Sequence, residues 1–177
     1  MRIELAALPA AVVLTVVLSG CNGSDNKAAQ QANSLVPDGT FSGTFADVKA
    51  PPAGTGNIGG IATMVLSSKG TLVTVQVNGL NPKAQYVAHV HNDACSAADP
   101  GGTHFKYDPN GGDEPPNELH LAITVDKKGK GGGKTTNPVK AGPEAKSVVI
   151  HLKRAAGAAQ DEVTPPKLSC ADLQPTS

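Results

Sequence analysis

The chain has 177 residues, with 15 basic and 15 acidic side chains and a formal net charge of zero at pH 7. This balance gives no electrostatic reason to expect a polyanionic partner, so nucleic acid binding is not predicted. The hydrophobic content of 39% is enough for one folded domain, and 20 glycines, 14 prolines and no tryptophan favour an all-β fold rich in turns.

The N-terminal residues 1–20 have the layout of an export signal. Arg2 precedes an apolar run from Leu5 to Leu18, which is too short to span a membrane, and small residues follow it. The sequence LSGC at 18–21 resembles the lipobox of bacterial lipoproteins, in which the cysteine is lipidated and becomes the new N-terminus. We therefore expect a signal peptide over 1–20 and an extracytoplasmic protein anchored to a bacterial membrane by lipid on Cys21. A plain secretory signal is the alternative.

Two further cysteines remain if Cys21 carries lipid. Cys95 and Cys170 would then lie in an oxidising compartment, where a disulfide between them is the default expectation.

Residues 21–39 are polar and small, and we expect them to form a flexible tether between the membrane and a domain over 40–177. In that domain, short runs rich in β-branched residues alternate with Gly, Pro, Asn and Lys, which predicts a β-sandwich or β-barrel. The predicted strands lie in TFSGTFADV, GGIATMVLSS, TLVTVQVNGL, QYVAHVH, NELHLAITVD and SVVIHLK.

Three segments are predicted to be irregular. The basic, glycine-rich run at 127–134 is typical of a solvated hairpin tip. The segments 92–117 and 153–170 are too long for simple hairpins, and loops of this length in a compact domain are usually functional or disordered.

Four of the five histidines have placements that favour a shared site. His89 and His91 project from the same face of one predicted strand, because side chains alternate along a strand. His151 lies on a second strand and also points away from the core. His104 follows two glycines in GGTHF, which would let a loop fold back close to a ligand.

A single histidine has many roles, and a surface or hydrogen-bonded role is the better interpretation for any one of them alone. Four neutral nitrogen donors from two strands and a loop favour metal binding instead. Such a set suits Cu(II), with zinc as the second choice.

The order HVH, Cys, GGTHF, VVIH and KLSC resembles the copper/zinc superoxide dismutase family over residues of roughly 40 to 173. The resemblance implies a Greek-key β-barrel with two long loops. It implies that His89, His91 and His151 are copper ligands and that His104 corresponds to the histidine bridging copper and zinc. It also implies the Cys95–Cys170 disulfide.

The chain departs from this family at the zinc site. The family holds zinc with two more histidines and an aspartate, whereas only His120 is available here, and the spacing of Asp108, Asp113 and Glu114 does not reproduce the pattern. Strand alternation places Leu119 and its alternate neighbours in the core and His120 on the other face, so we expect a surface histidine there. One copper per chain and no zinc are therefore expected, as in copper-only members of the family.

A second departure concerns the charge beside the copper. Where the family has an arginine that attracts superoxide, this chain has Lys167 in KLSC, which supplies charge without the planar two-donor fork. A plain solvated lysine is the alternative.

The resemblance implies copper-dependent dismutation of superoxide to oxygen and hydrogen peroxide at the cell envelope. His104 would carry a proton and Lys167 would raise the local concentration of anions. Two alternatives stay open: a non-catalytic lipoprotein that stores or sequesters copper, and a structural or adhesion β-domain whose histidines are incidental.

Overall fold

The structure is a computed structural model that describes residues 36–161 and 164–176. The predicted signal peptide, Cys21 and the tether as far as residue 35 lie outside the described residues. No helix in the described part of the chain is long and apolar enough to cross a membrane.

The described residues form an all-β domain of ten strands in one curled sheet, in which every pairing is antiparallel. This confirms the predicted fold class. The strands are β1 (Gly39–Thr44), β2 (Ala46–Asp47), β3 (Gly59–Ser67), β4 (Gly70–Asn78), β5 (Gln85–His91), β6 (His120–Val125), β7 (Gly131–Asn137), β8 (Ser147–Arg154), β9 (Lys167–Asp172) and β10 (Gln174–Pro175).

The strand order is β10-β1-β3-β4-β7-β6-β5-β8-β9-β2. Strands β5, β6 and β7 follow one another in space, and β4 lies beside β7, which is the Greek-key arrangement. Strands β1 and β2 lie towards opposite ends of the strand order, yet only Phe45 separates them in the chain. The sheet must therefore curl until its two ends approach each other. Gly43 in β1 passes so close to the backbone of Asp172 in β9 that a Cβ would not fit.

Alternation along the strands builds the core. In β3 and β4 every second side chain is buried, as expected for a sheet with one face towards the interior. Each fully buried aliphatic side chain of this kind contributes roughly 1.5–3 kcal/mol. The inward residues of these two strands are Ala62, Met64, Leu66, Val73, Val75 and Val77.

The glycine-rich run at 127–134 is only partly the hairpin tip that we predicted. The turn covers its first residues, with Gly129 at φ +77°, and β7 begins at Gly131. Glycines are needed in this strand because a Cβ on Gly131 would lie 2.8 Å from Cγ2 of Ile123, and one on Gly133 would lie 2.5 Å from the carbonyl oxygen of Ala122. Close packing against β6 thus replaces the usual preference for β-branched residues.

Strands β5 and β8 are buried on both faces. Their inner faces contribute Ala88, Val90, Val148 and Ile150 to the core. Their outer faces are covered by described parts of two long connections: in 92–119, Gly101 lies against Val149 and His91, and in 164–166, Pro165 lies beside His151. A disulfide joins Cys95 in the first connection to Cys170 in β9, with Cα atoms 5.6 Å apart, as predicted. This covered outer face is where the histidines collect.

Candidate metal centre

Strand register brings three histidines together on the outer face. In the pairing of β5 with β8, His89 is opposite Val149 and His151 is opposite Val87, so the two imidazoles lie diagonally across the same face. His91 is two residues further along β5. Only 7%, 1% and 5% of the surfaces of His89, His91 and His151 are exposed.

His104 reaches this group through the connection 92–119. An isolated antiparallel bridge pairs it with His91, so the loop runs as a short extra strand beside β5. Gly101 and Gly102 make this approach possible, with φ values of +78° and +65° that favour glycine. A Cβ on Gly101 would lie 2.6 Å from Cγ2 of Val149 and 3.2 Å from Cβ of His91.

These four histidines form one compact group. Each offers a ring nitrogen, and the four nitrogens lie within 4.8 Å of one another. The structure therefore brings together all four residues that the sequence singled out as metal ligands: His89, His91, His104 and His151.

Hydrogen bonds at the outer nitrogens determine which nitrogen of each ring faces the centre. The Nδ1 atom of His91 is 3.2 Å from the carbonyl oxygen of Gly102, and the Nδ1 atom of His151 is 3.0 Å from the carbonyl oxygen of Pro165. A carbonyl oxygen only accepts, so both Nδ1 atoms carry the proton and both Nε2 atoms have a free lone pair.

The two Nε2 atoms of His91 and His151 nevertheless face each other at 3.1 Å. Neither is a donor in the neutral ring, so the contact places two lone pairs together in a buried site. The Nδ1 atom of His89 is also buried and has no hydrogen-bond partner. Buried polar atoms of this kind are costly unless something satisfies them. A cation shared by these nitrogens would satisfy all three, so the donor set fits a metal ion.

The three buried histidines are neutral at physiological pH. Burial, reinforced by the neighbouring imidazoles, lowers the pKa of His89 from 6.5 to about 2 and that of His91 to about 3. Burial also lowers the pKa of His151 to about 4. Protons therefore do not compete for these nitrogens near pH 7, which favours metal binding.

His120 is not the surface histidine that we expected. Its place on the outer face of β6 is as predicted, but it lies directly across from His89 in the pairing of β5 with β6. The two ring centroids are 4.4 Å apart, and the His120 side chain is 25% exposed. The alternation within β6 does not tell which residue of β5 lies opposite His120. That register between the two strands brings His120 to the edge of the histidine group.

Glu118 is a site residue that the sequence analysis missed. Its side chain is 2% exposed, and its Oε2 atom accepts hydrogen bonds from Nδ1 of His104 at 2.6 Å and from Nε2 of His120 at 2.9 Å. These three residues form a second group with metal-ligating atoms in reach of one another. Alternation contained the signal, because Glu118 and His120 are two residues apart and therefore project to the same side of the sheet.

Among the described residues, the other acidic candidates belong to neither group. Asp113 pairs with Lys106, and Asp108 accepts the backbone N–H of Asn110 at 3.0 Å. The nearest carboxylate oxygen of Glu114 is 3.9 Å from Nδ1 of His120.

Lys167 lies beside the histidines but is not a free charge. It is the Cα partner of His151 in the pairing of β8 with β9. Its Nζ atom donates to Oδ1 of Asp99 and to the carbonyl oxygen of Gly102, both at 2.7 Å. The lysine thus holds the glycine turn against the sheet, and an exposed carboxylate neutralises it.

No family model matches the chain, and no curated protein matches it. Solved structures do. The Cu/Zn superoxide dismutase from Brucella abortus is 17% identical with a TM-score of 0.50, over 76% of this chain and 99% of that chain. A double mutant of a SOD-like protein from Bacillus subtilis is 18% identical with a TM-score of 0.51, over 75% of this chain and 97% of that chain. At these identities the likeness establishes the fold: the chain folds as Cu/Zn superoxide dismutases do.

Proposed function

We propose that this chain, which has the Cu/Zn superoxide dismutase fold, is a copper-dependent superoxide dismutase with one copper per chain and no structural zinc. The observation that carries the metal site is the buried contact between the Nε2 lone pairs of His91 and His151, 3.1 Å apart. A neutral pair of this kind is unfavourable unless a cation lies between them.

Copper fits this donor set best. All four nitrogens come from imidazoles, without thiolate or carboxylate in that group, and Cu(II) favours such a tetragonal set and binds more tightly than other first-row divalent ions. The four ring nitrogens lie within 4.8 Å of one another, and those of His91 and His151 are 3.1 Å apart, so all four would hold one ion together.

Glu118 supports a site without zinc. Its carboxylate binds the proton on Nδ1 of His104, which is the nitrogen left for a second metal once Nε2 faces the first. A buried, hydrogen-bonded carboxylate thereby fixes the ring orientation, as outer partners of metal-bound histidines commonly do. Zinc at the group of His104, Glu118 and His120 would have to displace the two protons that His104 and His120 donate to Glu118.

When bound, copper would supply the one-electron couple by which one superoxide is oxidised to oxygen and the next is reduced to peroxide. His89, His91 and His151 would hold it, and the carbonyl acceptors at their outer nitrogens keep the rings of His91 and His151 in the required tautomer. We propose His104 as the proton donor to the product.

Two observations support that role for His104. Its side chain is 33% exposed, which makes it the most accessible of the four, and it lines an open groove of about 780 Å³. Its Nδ1 proton is held by Glu118, so Nε2 is the nitrogen that would bind copper and that would take up and deliver a proton whenever it is released from the metal.

The test is to load metal-free protein with copper and zinc together, analyse both metals, and measure superoxide consumption. We expect one copper per chain, negligible zinc, and loss of turnover in His104→Ala. His120→Gln is the matched control, since it changes a neighbouring histidine outside the group of four, and it should retain one copper per chain. Equimolar zinc in the wild-type protein, or turnover that does not depend on copper, would contradict the proposal.

A second candidate function is copper storage or sequestration without catalysis. The observation that favours it is the pairing of Lys167 with Asp99, because an ammonium neutralised in this way attracts anions less strongly. If the protein only stores copper, superoxide consumption will stay at the level of the metal-free protein as copper content rises to one per chain.

The location proposed is the outer side of a bacterial membrane. The Cys95–Cys170 disulfide indicates an extracytoplasmic protein, because cytosolic thiols are kept reduced. We further propose residues 1–20 as a cleaved signal, lipid on Cys21 and a tether that begins at residue 21 and ends before Val36, which packs against the core. Metabolic labelling with a fatty acid should mark the wild-type protein and not Cys21→Ser, and equal labelling of both would contradict the anchor.

A further inference from the structure

Lys167 and Asp99 form an ion pair whose two partners differ in exposure. The lysine side chain is 19% exposed, whereas the aspartate side chain is 70% exposed, and Nζ lies 2.7 Å from Oδ1. The lysine is further held by the carbonyl oxygen of Gly102, also at 2.7 Å. The ammonium is therefore fixed in place while the carboxylate is in contact with solvent.

This pair is coupled to the metal ligands by geometry. Lys167 is opposite His151 in the sheet, and the Gly102 carbonyl that it binds also accepts from Nδ1 of His91. Burial is the main cause of the low pKa of His91 and His151; the positive charge of Lys167 lowers both further, and Asp99 opposes it at His151. Both charges thus lie within electrostatic reach of the histidine group.

Lys167 lies beside His151 and carries the exposed Asp99, so an anion that reaches the histidine group from this side meets both charges together. The fixed ammonium attracts it, and the carboxylate repels it and occupies one of the donor directions of the ammonium. Because exposed ion pairs are weak and screened by water, a competing anion can replace Asp99 without rearranging the sheet.

We propose that Asp99 controls how strongly the metal site attracts small anions, by competing with them for Lys167. Asp99 is then a residue that sets substrate affinity without contacting the metal, and its removal should strengthen anion binding. This inference rests on the proposed copper site and concerns the substrate class of that site, small monoanions.

The experiment uses copper-loaded protein and azide as the probe, with binding followed by the absorbance of the Cu(II) centre. Asp99→Asn keeps an oxygen near Nζ and removes only the charge. At low ionic strength we expect the azide dissociation constant of Asp99→Asn protein to fall by about three- to tenfold. The reason is that the substitution removes one negative charge a few ångströms from the path of the anion. The difference should largely disappear in concentrated salt.

The chain offers a matched control. Lys140 donates to Asp38 and to the carbonyl oxygen of Val36, so it repeats the arrangement of Lys167 at a site away from the histidines. Asp38→Asn changes the net charge by the same amount and should leave the azide dissociation constant within twofold. In a Lys167→Gln background, Asp99→Asn should lose most of its effect, because the competition for the lysine is gone.

The outcomes separate this inference from the proposed function. If wild-type protein takes up no copper, the proposed function fails and this inference fails with it. If one copper binds but azide affinity is equal in wild-type and Asp99→Asn protein, only the role of Asp99 is wrong. Loss of copper from Asp99→Asn would also overturn it, because Asp99 would then be holding the loop in place.

Discussion

Replacing Glu118 by glutamine tests the idea that a buried carboxylate orients the accessible histidine. The side chain is 2% exposed and its Oε2 atom accepts two N–H groups, from His104 at 2.6 Å and from His120 at 2.9 Å. Glutamine has almost the same size, so the substitution removes the charge and leaves the packing.

The magnitude follows from those two hydrogen bonds. A hydrogen bond to a charged group contributes about 1.5–3 kcal/mol, whereas a neutral one contributes about 0.5–1.5 kcal/mol. The loss is therefore about 1–1.5 kcal/mol for each bond. Only His104 is a proposed copper ligand, so its share appears as roughly a tenfold weaker copper affinity, at the lower end of the 10–100-fold typical of such outer partners.

The assay is a competition titration of Glu118→Gln and wild-type protein against a copper chelator of known affinity at pH 7. Glu144→Gln serves as the control, because Glu144 is an exposed carboxylate that lines the open groove beside His104 and Glu118. It should match the wild-type protein. A Glu118→Gln affinity within twofold of wild type would refute the reasoning that the carboxylate orients His104.

Three other predictions concern stability. Removing the disulfide by Cys95→Ala with Cys170→Ala should cost about 4 kcal/mol in denaturant unfolding, because the bond closes a separation of 75 residues; an unchanged midpoint would contradict this. Copper-free protein should lose stability in denaturant titrations as the pH falls below 6.5, by up to about 1.4 kcal/mol per pH unit for each buried histidine. The reason is that these histidines have a pKa of 6.5 in the unfolded chain, whereas in the folded protein the pKa is about 4 for His151, about 3 for His91 and about 2 for His89. A stability that does not change with pH would exclude neutral buried rings. Gly101→Ala should lower stability by about 2 kcal/mol or more and reduce copper uptake, because φ is +78° and the added Cβ would lie 2.6 Å from Val149. Full copper uptake at wild-type stability would contradict this packing.

Local pattern was enough to predict part of the site. The histidines of β5 share a face because side chains alternate in any strand, and this holds whichever strands lie beside it. The glycines before His104 indicated a close approach because glycine tolerates positive φ, and both adopt it here.

The rest depended on contacts between distant parts of the chain. His120 and Glu118 join the site because β6 pairs with β5 in one register, and that register follows from packing across the whole sheet. The partner of Lys167 is 68 residues away in a loop, so no local pattern identifies Asp99. Strand β7 was missed because its glycines have low strand propensity, although packing requires them.

The most direct test of the account is a titration of metal-free protein with Cu(II), followed by electron paramagnetic resonance. The account predicts a single copper signal that saturates at one equivalent per chain and carries hyperfine structure from several nitrogen ligands, as His89, His91, His104 and His151 would supply. Copper that never saturates at one equivalent, or a signal typical of oxygen ligands alone, would contradict the shared histidine site.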